Sequence, residues 1–180
     1  RSLAETRSEL QLKERDYQIL NCLADGMNNR EISTKLHISE ETAKGISSRI
    51  KFTTEKAAFS PCSLIIEAIV ENLAVKHQVF QEIEALVDAN CILASNTSSL
   101  SIASIGSALK KADRVIGIHF FNPAPLMPLV EIIPAVQTSQ KVIDNVMTLI
   151  GAWGKTAVLC KDTPGFIVNR VARPFYGEAL

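Results

Sequence analysis

The chain has 180 residues, of which 47% are hydrophobic and 21% are charged, a composition typical of a globular protein. Lys and Arg together number 19, as do Asp and Glu, so the formal net charge of zero excludes a polybasic nucleic-acid coat or membrane binder. No stretch is apolar over the roughly 18 residues that a membrane-spanning helix needs, so no such helix is expected.

Residues 1–52 carry helical patterns, with no Pro and a single Gly before position 45. A helix over 14–25 is predicted to stop at Gly26, and Asn28 or Asn29 is expected to cap a second helix. After a tight turn at His37 and Ile38, Ser39 is expected to cap a third helix. Two short helices joined by such a turn and braced by a preceding helix are typical of a helix-turn-helix.

From residue 53 onward, short apolar runs alternate with amphipathic stretches. The runs predict strands over 63–70, 91–94, 114–120, 129–133 and 156–160. The amphipathic stretches predict helices over 72–87, 99–109, 140–153 and from Phe166 to the end. This alternation predicts an α/β fold with a largely parallel sheet and helices on its faces.

The four cysteines, Cys22, Cys62, Cys91 and Cys160, form no CxxC pair, and the three histidines are scattered. This usage predicts a reducing, cytoplasmic environment and no metal site. Cys91 and Cys160 lie in short apolar runs, so both are expected to be buried. The chain begins RSLAE, which predicts no signal peptide, and the lack of an initiating Met predicts a fragment or a processed form.

Polar residues follow the predicted strands, where ligands of parallel sheets bind. They are Glu71, residues 96–99, His119, Asn122 and Asn169. His119 and Glu131 lie on segments that can be neighbours, and a carboxylate that holds one imidazole nitrogen raises the basicity of the other. Such a pair could take a proton from an alcohol. The alternative for His119 is a satisfied core or loop histidine.

The stretch over 10–44 resembles the LuxR-type DNA-binding module through LKERD at 12–16, LADGMNNREI at 23–32 and LHISEETAK at 36–44. The resemblance implies helix-turn-helix ancestry, but it ends at Gly45, which costs about 1 kcal/mol relative to Ala inside a helix. The fourth helix of that family is absent from the pattern. Glu40 and Glu41 open the recognition helix, so no specific DNA binding is expected.

The rest of the chain is similar to 3-hydroxyacyl-CoA dehydrogenase, close to its 3-hydroxybutyryl-CoA branch. The resemblance rests on IEAIVENL at 66–73, ASNTSSL at 94–100, GIHFFNP at 117–123 and DTPGFIVNR at 162–170. It implies an acyl-CoA substrate and an NAD cofactor. By the resemblance, His119 is the general base, Glu131 its partner, and Ser98 and Asn169 bond the substrate oxygen. Glu71, Lys76 and Asn96 would approach the nicotinamide ribose and carboxamide.

The resemblance also implies three segments: a helical part over 1–50, the second half of an NAD-binding Rossmann-like domain over 51–165, and the first helix of a truncated domain over 166–180. None of the eight glycines are spaced as GxG, although the family holds the NAD pyrophosphate with a GxGxxG turn. The sequence therefore predicts an incomplete Rossmann-like sheet, weak NAD binding and little activity alone. Together the two resemblances predict a hybrid of natural, engineered or accidental origin. The alternatives to a dehydrogenase fragment are a hybrid with no native activity and a fragment of a LuxR-type DNA-binding regulator.

Self-association is expected for two reasons. The strand over 63–70 lacks a predicted partner on one side, and an unprotected apolar strand edge can pair with another chain. The last helix is also expected to leave an apolar surface uncovered, formed by Phe166, Ile167, Val171 and Phe175.

Overall fold

The chain divides into two units, Arg1–Thr54 and Glu55–Leu180, and the described residues from 26 to 54 of the first unit form two α-helices. The computed structural model describes residues 18, 22, 26–124 and 126–177, so most of the predicted helix over 14–25 lies outside the described residues. Helix α1 spans Asn29–Leu36 and helix α2 spans Glu40–Ser47. The prediction of these two helices is confirmed.

Local capping explains where both helices begin. The Asn28 side chain accepts hydrogen bonds from the Arg30 and Glu31 amides at 3.0 Å, and the Glu31 carboxylate accepts one from the Asn28 amide at 2.8 Å. His37 ends α1 in the left-handed conformation, with φ of 51°. Ser39 Oγ then accepts the Thr42 amide at 3.1 Å. Helix α2 continues through Gly45, so that residue does not interrupt it.

The second unit holds a five-stranded sheet. Its strands are β1 Leu64–Glu67, β2 Ile92–Ser95, β3 Val115–Phe120, β4 Leu129–Pro134 and β5 Thr156–Leu159, and they lie in the order β1-β2-β3-β4-β5. All neighbouring strands run parallel except β3 and β4. The described residues of the loop between β3 and β4, 121–124 and 126–128, form no helix that could return the chain to the starting edge, and this pair is antiparallel. The predicted Rossmann-like α/β class is confirmed.

Four α-helices accompany the sheet: α3 Leu73–Glu84, α4 Ile102–Gly106, α5 Gln140–Ala152 and α6 Val168–Gly177. Single 3₁₀ turns occur at Lys56–Phe59 and Ala112–Arg114. The first strand ends at Glu67 rather than at the predicted residue 70, because the Ile69 amide turns back onto the Glu67 side chain at 2.6 Å. In the described part of the chain, no helix has the length and apolarity needed to cross a bilayer.

Helices cover both faces of the sheet, and this explains why the strands read as continuous apolar runs. Phe80 and Ile83 of α3 and Ile105 of α4 pack on one face with Leu93. On the other face, Val142, Val146 and Ile150 of α5 pack with Ile116 and Ile118 of β3. Successive side chains of a strand point to opposite faces, so β2 and β3 contribute to both cores.

The expectation of an uncovered surface on the last helix is partly wrong. Phe166 is only 3% exposed, because its ring packs in the core beneath the sheet edge. Ile167 and Val171 are 43% and 66% exposed, as expected. The Phe175 side chain lies outside the described residues.

Replacing Gly117 by Ala is expected to destabilise the second unit. A Cβ at this position of β3 would lie 2.9 Å from both Ile102 Cδ1 and Ile133 Cβ, and overpacking of this kind costs about 1–3 kcal/mol. Gly151→Ala is the matched control, because a Cβ there meets no atom within 4 Å and Ala favours the helix. Urea unfolding of both variants measures the effect, and equal changes in the free energy of unfolding would contradict it.

Candidate active site

The predicted site residues meet at the carboxyl edge of the sheet. Strands β1, β2 and β3 are parallel, so the segments that follow Glu67, Ser95 and Phe120 leave the same edge. Strand β4 runs antiparallel to β3 and therefore begins there. In the β3–β4 register His119 lies opposite Glu131, which places the two side chains on one face of the sheet.

His119 and Glu131 form a buried pair. His119 Nδ1 lies 2.7 Å from Glu131 Oε2, and the side chains are 8% and 1% exposed. The other carboxylate oxygen of Glu131, Oε1, accepts hydrogen bonds from the Ile167 and Val168 amides at 2.9 and 2.8 Å. When a carboxylate faces a neutral imidazole in this way, Nδ1 carries the proton directed at the carboxylate and Nε2 has the lone pair. Nε2 is then the atom that can act as a base.

Aromatic rings hold the His119 imidazole from two sides. The ring centroid of Phe121 lies 4.7 Å from that of His119, and the ring centroid of Phe166 lies 5.7 Å away in an edge-on arrangement. Together with the Glu131 contact, these rings restrict both the tautomer and the orientation of the imidazole. The role of His119 stays a prediction.

A second group of charges surrounds Lys76. Its Nζ donates to Glu67 Oε1 at 2.7 Å and lies 3.3 Å from Glu71 Oε2, and the Lys76 side chain is 1% exposed. Ser95 Oγ donates to the other oxygen of Glu67 at 2.7 Å. Lys76 is thus enclosed by carboxylates, and any influence it has on a ligand passes through Glu71.

Glu71 is the more exposed member of this group. Its Oε1 accepts hydrogen bonds from Thr97 Oγ1, from Ser99 Oγ at 2.9 Å and from the Ser98 amide at 3.3 Å. Burial raises the pKa of Glu71, but the Thr97 and Ser99 hydrogen bonds and the Lys76 charge outweigh burial and hold that pKa below its usual range. Glu71 is therefore ionised at neutral pH and can accept hydrogen bonds from ligand hydroxyl groups.

The remaining predicted residues link the two groups. Asn96 Oδ1 accepts the Phe120 amide at 2.8 Å, directly after His119 in the chain. Asn169 Nδ2 lies 3.4 Å from the Ser98 carbonyl oxygen, so the first turn of α6 contacts the loop after β2. The structure thus brings all the predicted site residues to one edge, although their roles remain predictions.

Sequence reasoning missed two carboxylates. Glu67 lies in a strand predicted from its apolar residues, and an acid in a buried strand signals a buried partner. The Asp162 carboxylate bonds Ser101 Oγ and the amides of Ile102 and Ala103 at 2.8–2.9 Å. Nothing in the local sequence around Asp162 indicates these distant partners.

Cys91 and Cys160 are buried, which confirms their prediction. Burial, followed by the nearby Glu131 carboxylate, raises the pKa of the Cys160 thiol to about 11. Cys160 is therefore a neutral thiol beside the His119–Glu131 pair at physiological pH, and it is not a nucleophile. No group of three or more His, Cys, Asp or Glu side chains in the described ranges is arranged to hold a metal ion.

A Rossmann-like sheet with polar residues at its carboxyl edge is typical of the class of α/β domains that bind dinucleotides. The family model for the "3-hydroxyacyl-CoA dehydrogenase, NAD binding domain" matches residues 2–163, and the chain belongs to this family. The match includes the whole stretch over 10–44 that resembles the LuxR-type module.

The curated proteins that are similar to this chain include dehydrogenases of hydroxyacyl-CoA compounds. Over 152 residues the chain is 43% identical to human mitochondrial hydroxyacyl-coenzyme A dehydrogenase, covering 84% of this chain and 48% of the human protein. Over 157 residues it is 41% identical to 3-hydroxyadipyl-CoA dehydrogenase of Escherichia coli K12, covering 86% of this chain and 33% of that protein. The chain thus spans a third to about half the length of these curated relatives.

The structure of (S)-3-hydroxybutyryl-CoA dehydrogenase from Ralstonia eutropha superposes with a TM-score of 0.76 at 38% identity, over 82% of this chain and 52% of that one. The structure of 3-hydroxybutyryl-CoA dehydrogenase from Escherichia coli K12 gives a TM-score of 0.77 at 37% identity, over 92% of this chain and 33% of that one.

Replacing Lys76 by Met is expected to reduce the free energy of unfolding by about 3–5 kcal/mol, because it leaves the buried Glu67 carboxylate without its counter-charge. Lys56→Met is the matched control. It removes the exposed Lys56–Glu82 ion pair and should change stability little. Urea unfolding of the two variants measures the difference, and similar values for both would contradict the assigned burial.

The raised pKa of the Cys160 thiol predicts that the folded chain loses stability at alkaline pH. Its pKa is raised from 9.0 to about 11 in the folded chain, so its contribution is complete below about pH 9 and is lost as the pH rises toward 11. Relative to Cys160→Ala, the wild type should lose about 1.4 kcal/mol per pH unit within that window. Urea unfolding at several pH values tests this, with Cys62→Ala as the control, and a constant wild-type advantage over Cys160→Ala would refute it.

Proposed function

We propose that this chain carries the reaction centre of an NAD-dependent 3-hydroxyacyl-CoA dehydrogenase, which interconverts a 3-hydroxyacyl-CoA and a 3-ketoacyl-CoA. The observation that carries the proposal is the 2.7 Å contact between His119 Nδ1 and Glu131 Oε2 at the carboxyl edge of the sheet. Family membership and the acyl-CoA substrates named for the relatives support it.

In the oxidation direction, His119 Nε2 accepts the proton of the C3 hydroxyl group as the C3 carbonyl forms. Glu131 holds Nδ1–H and stabilises the imidazolium that results. Asn169 and Ser98 lie beside each other at the same edge, where they would hydrogen-bond the oxygen on C3. NAD, when bound, supplies the acceptor for the hydride that leaves C3.

The nicotinamide half of the cofactor fits the residues present. The ionised Glu71 carboxylate can accept hydrogen bonds from ribose hydroxyl groups, and the Lys76 ammonium group beside it favours the ionised form. Asn96 directly precedes Thr97, which bonds Glu71. The pyrophosphate half is different, because the 180 residues contain no GxG turn that would bring backbone amides to it. We therefore expect weak NAD binding by this chain, and little turnover at ordinary cofactor concentrations.

The other expectations stay predictions. Self-association is supported by the exposed Ile167 and Val171, and by β1, which pairs on one side with β2 and is outermost in the described sheet. The lack of specific DNA binding is supported by Glu40 and Glu41 in the first turn of α2. A hybrid origin and a cytoplasmic location rest on the sequence patterns alone.

NADH oxidation in the presence of acetoacetyl-CoA tests the function. With micromolar NADH we expect no rate above background, and fluorescence titration should show weak NADH binding. At saturating, millimolar NADH a slow rate should emerge. His119→Gln should lower that rate by about 10²-fold or more, because it removes the group that, in this reduction direction, donates the proton to the C3 oxygen as a general acid.

His77→Gln is the matched control, because His77 bonds the Ser104 carbonyl on α4 and lies apart from the pair. It should retain the wild-type rate. Saturation with NADH without any turnover, or turnover that persists in His119→Gln, would contradict the proposed reaction. Tight NADH binding would contradict the expected weak affinity.

A further inference from the structure

The Asp162 carboxylate links two distant segments of the chain. Oδ2 accepts hydrogen bonds from Ser101 Oγ and the Ala103 amide at 2.8 Å, and Oδ1 accepts one from the Ile102 amide at 2.9 Å. The two amides belong to the first turn of α4, where backbone donors have no partner within the helix. The acceptors at the beginning of a helix usually come from a residue close by in the sequence. Here they come from Asp162, which lies about 60 residues further along the chain.

A short turn connects this anchor to Glu131. The Phe166 amide bonds the Thr163 carbonyl at 2.9 Å, and Gly165 has a φ of 76°, a conformation that other residues rarely adopt. The next two amides, those of Ile167 and Val168, donate to Glu131 Oε1. With so few residues between them, the position of Asp162 determines where these amides meet the Glu131 carboxylate.

A second connection runs through α4. The loop that precedes this helix contains Ser98, and it is held by Thr97 Oγ1, which accepts the Leu100 amide at 3.0 Å. Asn169, two residues after Ile167, reaches back to the Ser98 carbonyl oxygen at 3.4 Å. The Asp162–α4 contact and the Asn169–Ser98 contact therefore close a ring of interactions around the proposed substrate oxygen site.

We propose that Asp162 is a positioning residue for the reaction centre. It fixes the Ile167 and Val168 amides against Glu131, and through Glu131 it fixes the orientation of the His119 imidazole. It also sets the distance between the Ser98 loop and Asn169. The significance of this arrangement for catalysis rests on the proposed function, whereas the arrangement itself can be measured without any substrate.

The test compares Asp162→Asn with Glu84→Gln in ¹⁵N-labelled chain. Glu84 is a matched control, because its carboxylate also accepts two amides from a distant segment, those of Lys110 and Lys111 at 3.0 Å. Two signals are followed by NMR: the hydrogen exchange of the Ile167 and Val168 amides, and the resonance of the proton on His119 Nδ1. Urea unfolding records the loss of stability in each variant.

In Asp162→Asn we expect the protection of the Ile167 and Val168 amides to fall by about tenfold or more, as for loss of an anchoring hydrogen bond. The His119 Nδ1–H resonance should shift or broaden in the same variant. Glu84→Gln should leave both signals unchanged at a comparable loss of stability. Ser101→Ala removes one of the three Asp162 contacts and should give a smaller effect in the same direction, which keeps the test valid if Asp162→Asn does not fold.

Unchanged exchange and an unchanged His119 resonance in both Asp162→Asn and Ser101→Ala would overturn the inference. Equal effects in Glu84→Gln would also overturn it, because they would reflect general destabilisation. NADH turnover is measured in the same variants. The NMR signals could respond as expected while neither the wild type nor any variant oxidises NADH. In that case the proposed function fails and the positioning role stands.

Discussion

The buried Glu131 carboxylate is the constraint on which the arrangement of the second unit depends. An ionised carboxylate away from water is very unfavourable unless donors surround it. Here the donors are His119 Nδ1 and the Ile167 and Val168 amides. The first comes from the neighbouring strand β3, and the other two come from the beginning of α6. Satisfying one carboxylate therefore fixes the β3–β4 register, the entry to α6 and the orientation of the imidazole together.

The same sheet edge buries a second carboxylate, Glu67, and satisfies it in a different way. Glu67 has an ammonium partner in Lys76, whereas Glu131 has a histidine and two neutral amides. The ion pair confines the positive charge of Lys76 between Glu67 and Glu71, so the edge presents the Glu71 carboxylate. At Glu131 the contact is made by Nδ1, so Nε2 is the imidazole nitrogen that is not engaged by the carboxylate. Glu67 thus holds the Lys76 ammonium group in place, whereas Glu131 holds the His119 imidazole.

Much of this organisation could be predicted from the sequence, because strands buried on both faces leave continuous apolar runs and their ends are followed by polar residues. His119, Glu71 and Asn169 were located in this way, while their specific roles came from resemblance. The antiparallel pairing of β3 with β4 could not be predicted, because it depends on the conformation of the loop that joins them. The burial of Phe166 and the distant partner of Asp162 were also missed, since contacts across about 60 residues have no periodicity that a pattern could reveal.

The two groups of contacts at the sheet edge come from separate stretches of the sequence. The hydrogen bonds made directly by His119 and Glu131 join residues 119 to 168, and the contacts around Glu71 join residues 67 to 99. The pyrophosphate turn depends instead on glycines two residues apart, which none of the 180 residues provide. Proton-transfer geometry is local to a few strand ends, whereas cofactor affinity depends on backbone amides from another turn. The contacts of His119 with Glu131 and those around Glu71 are thus present in a chain whose 180 residues contain no such turn.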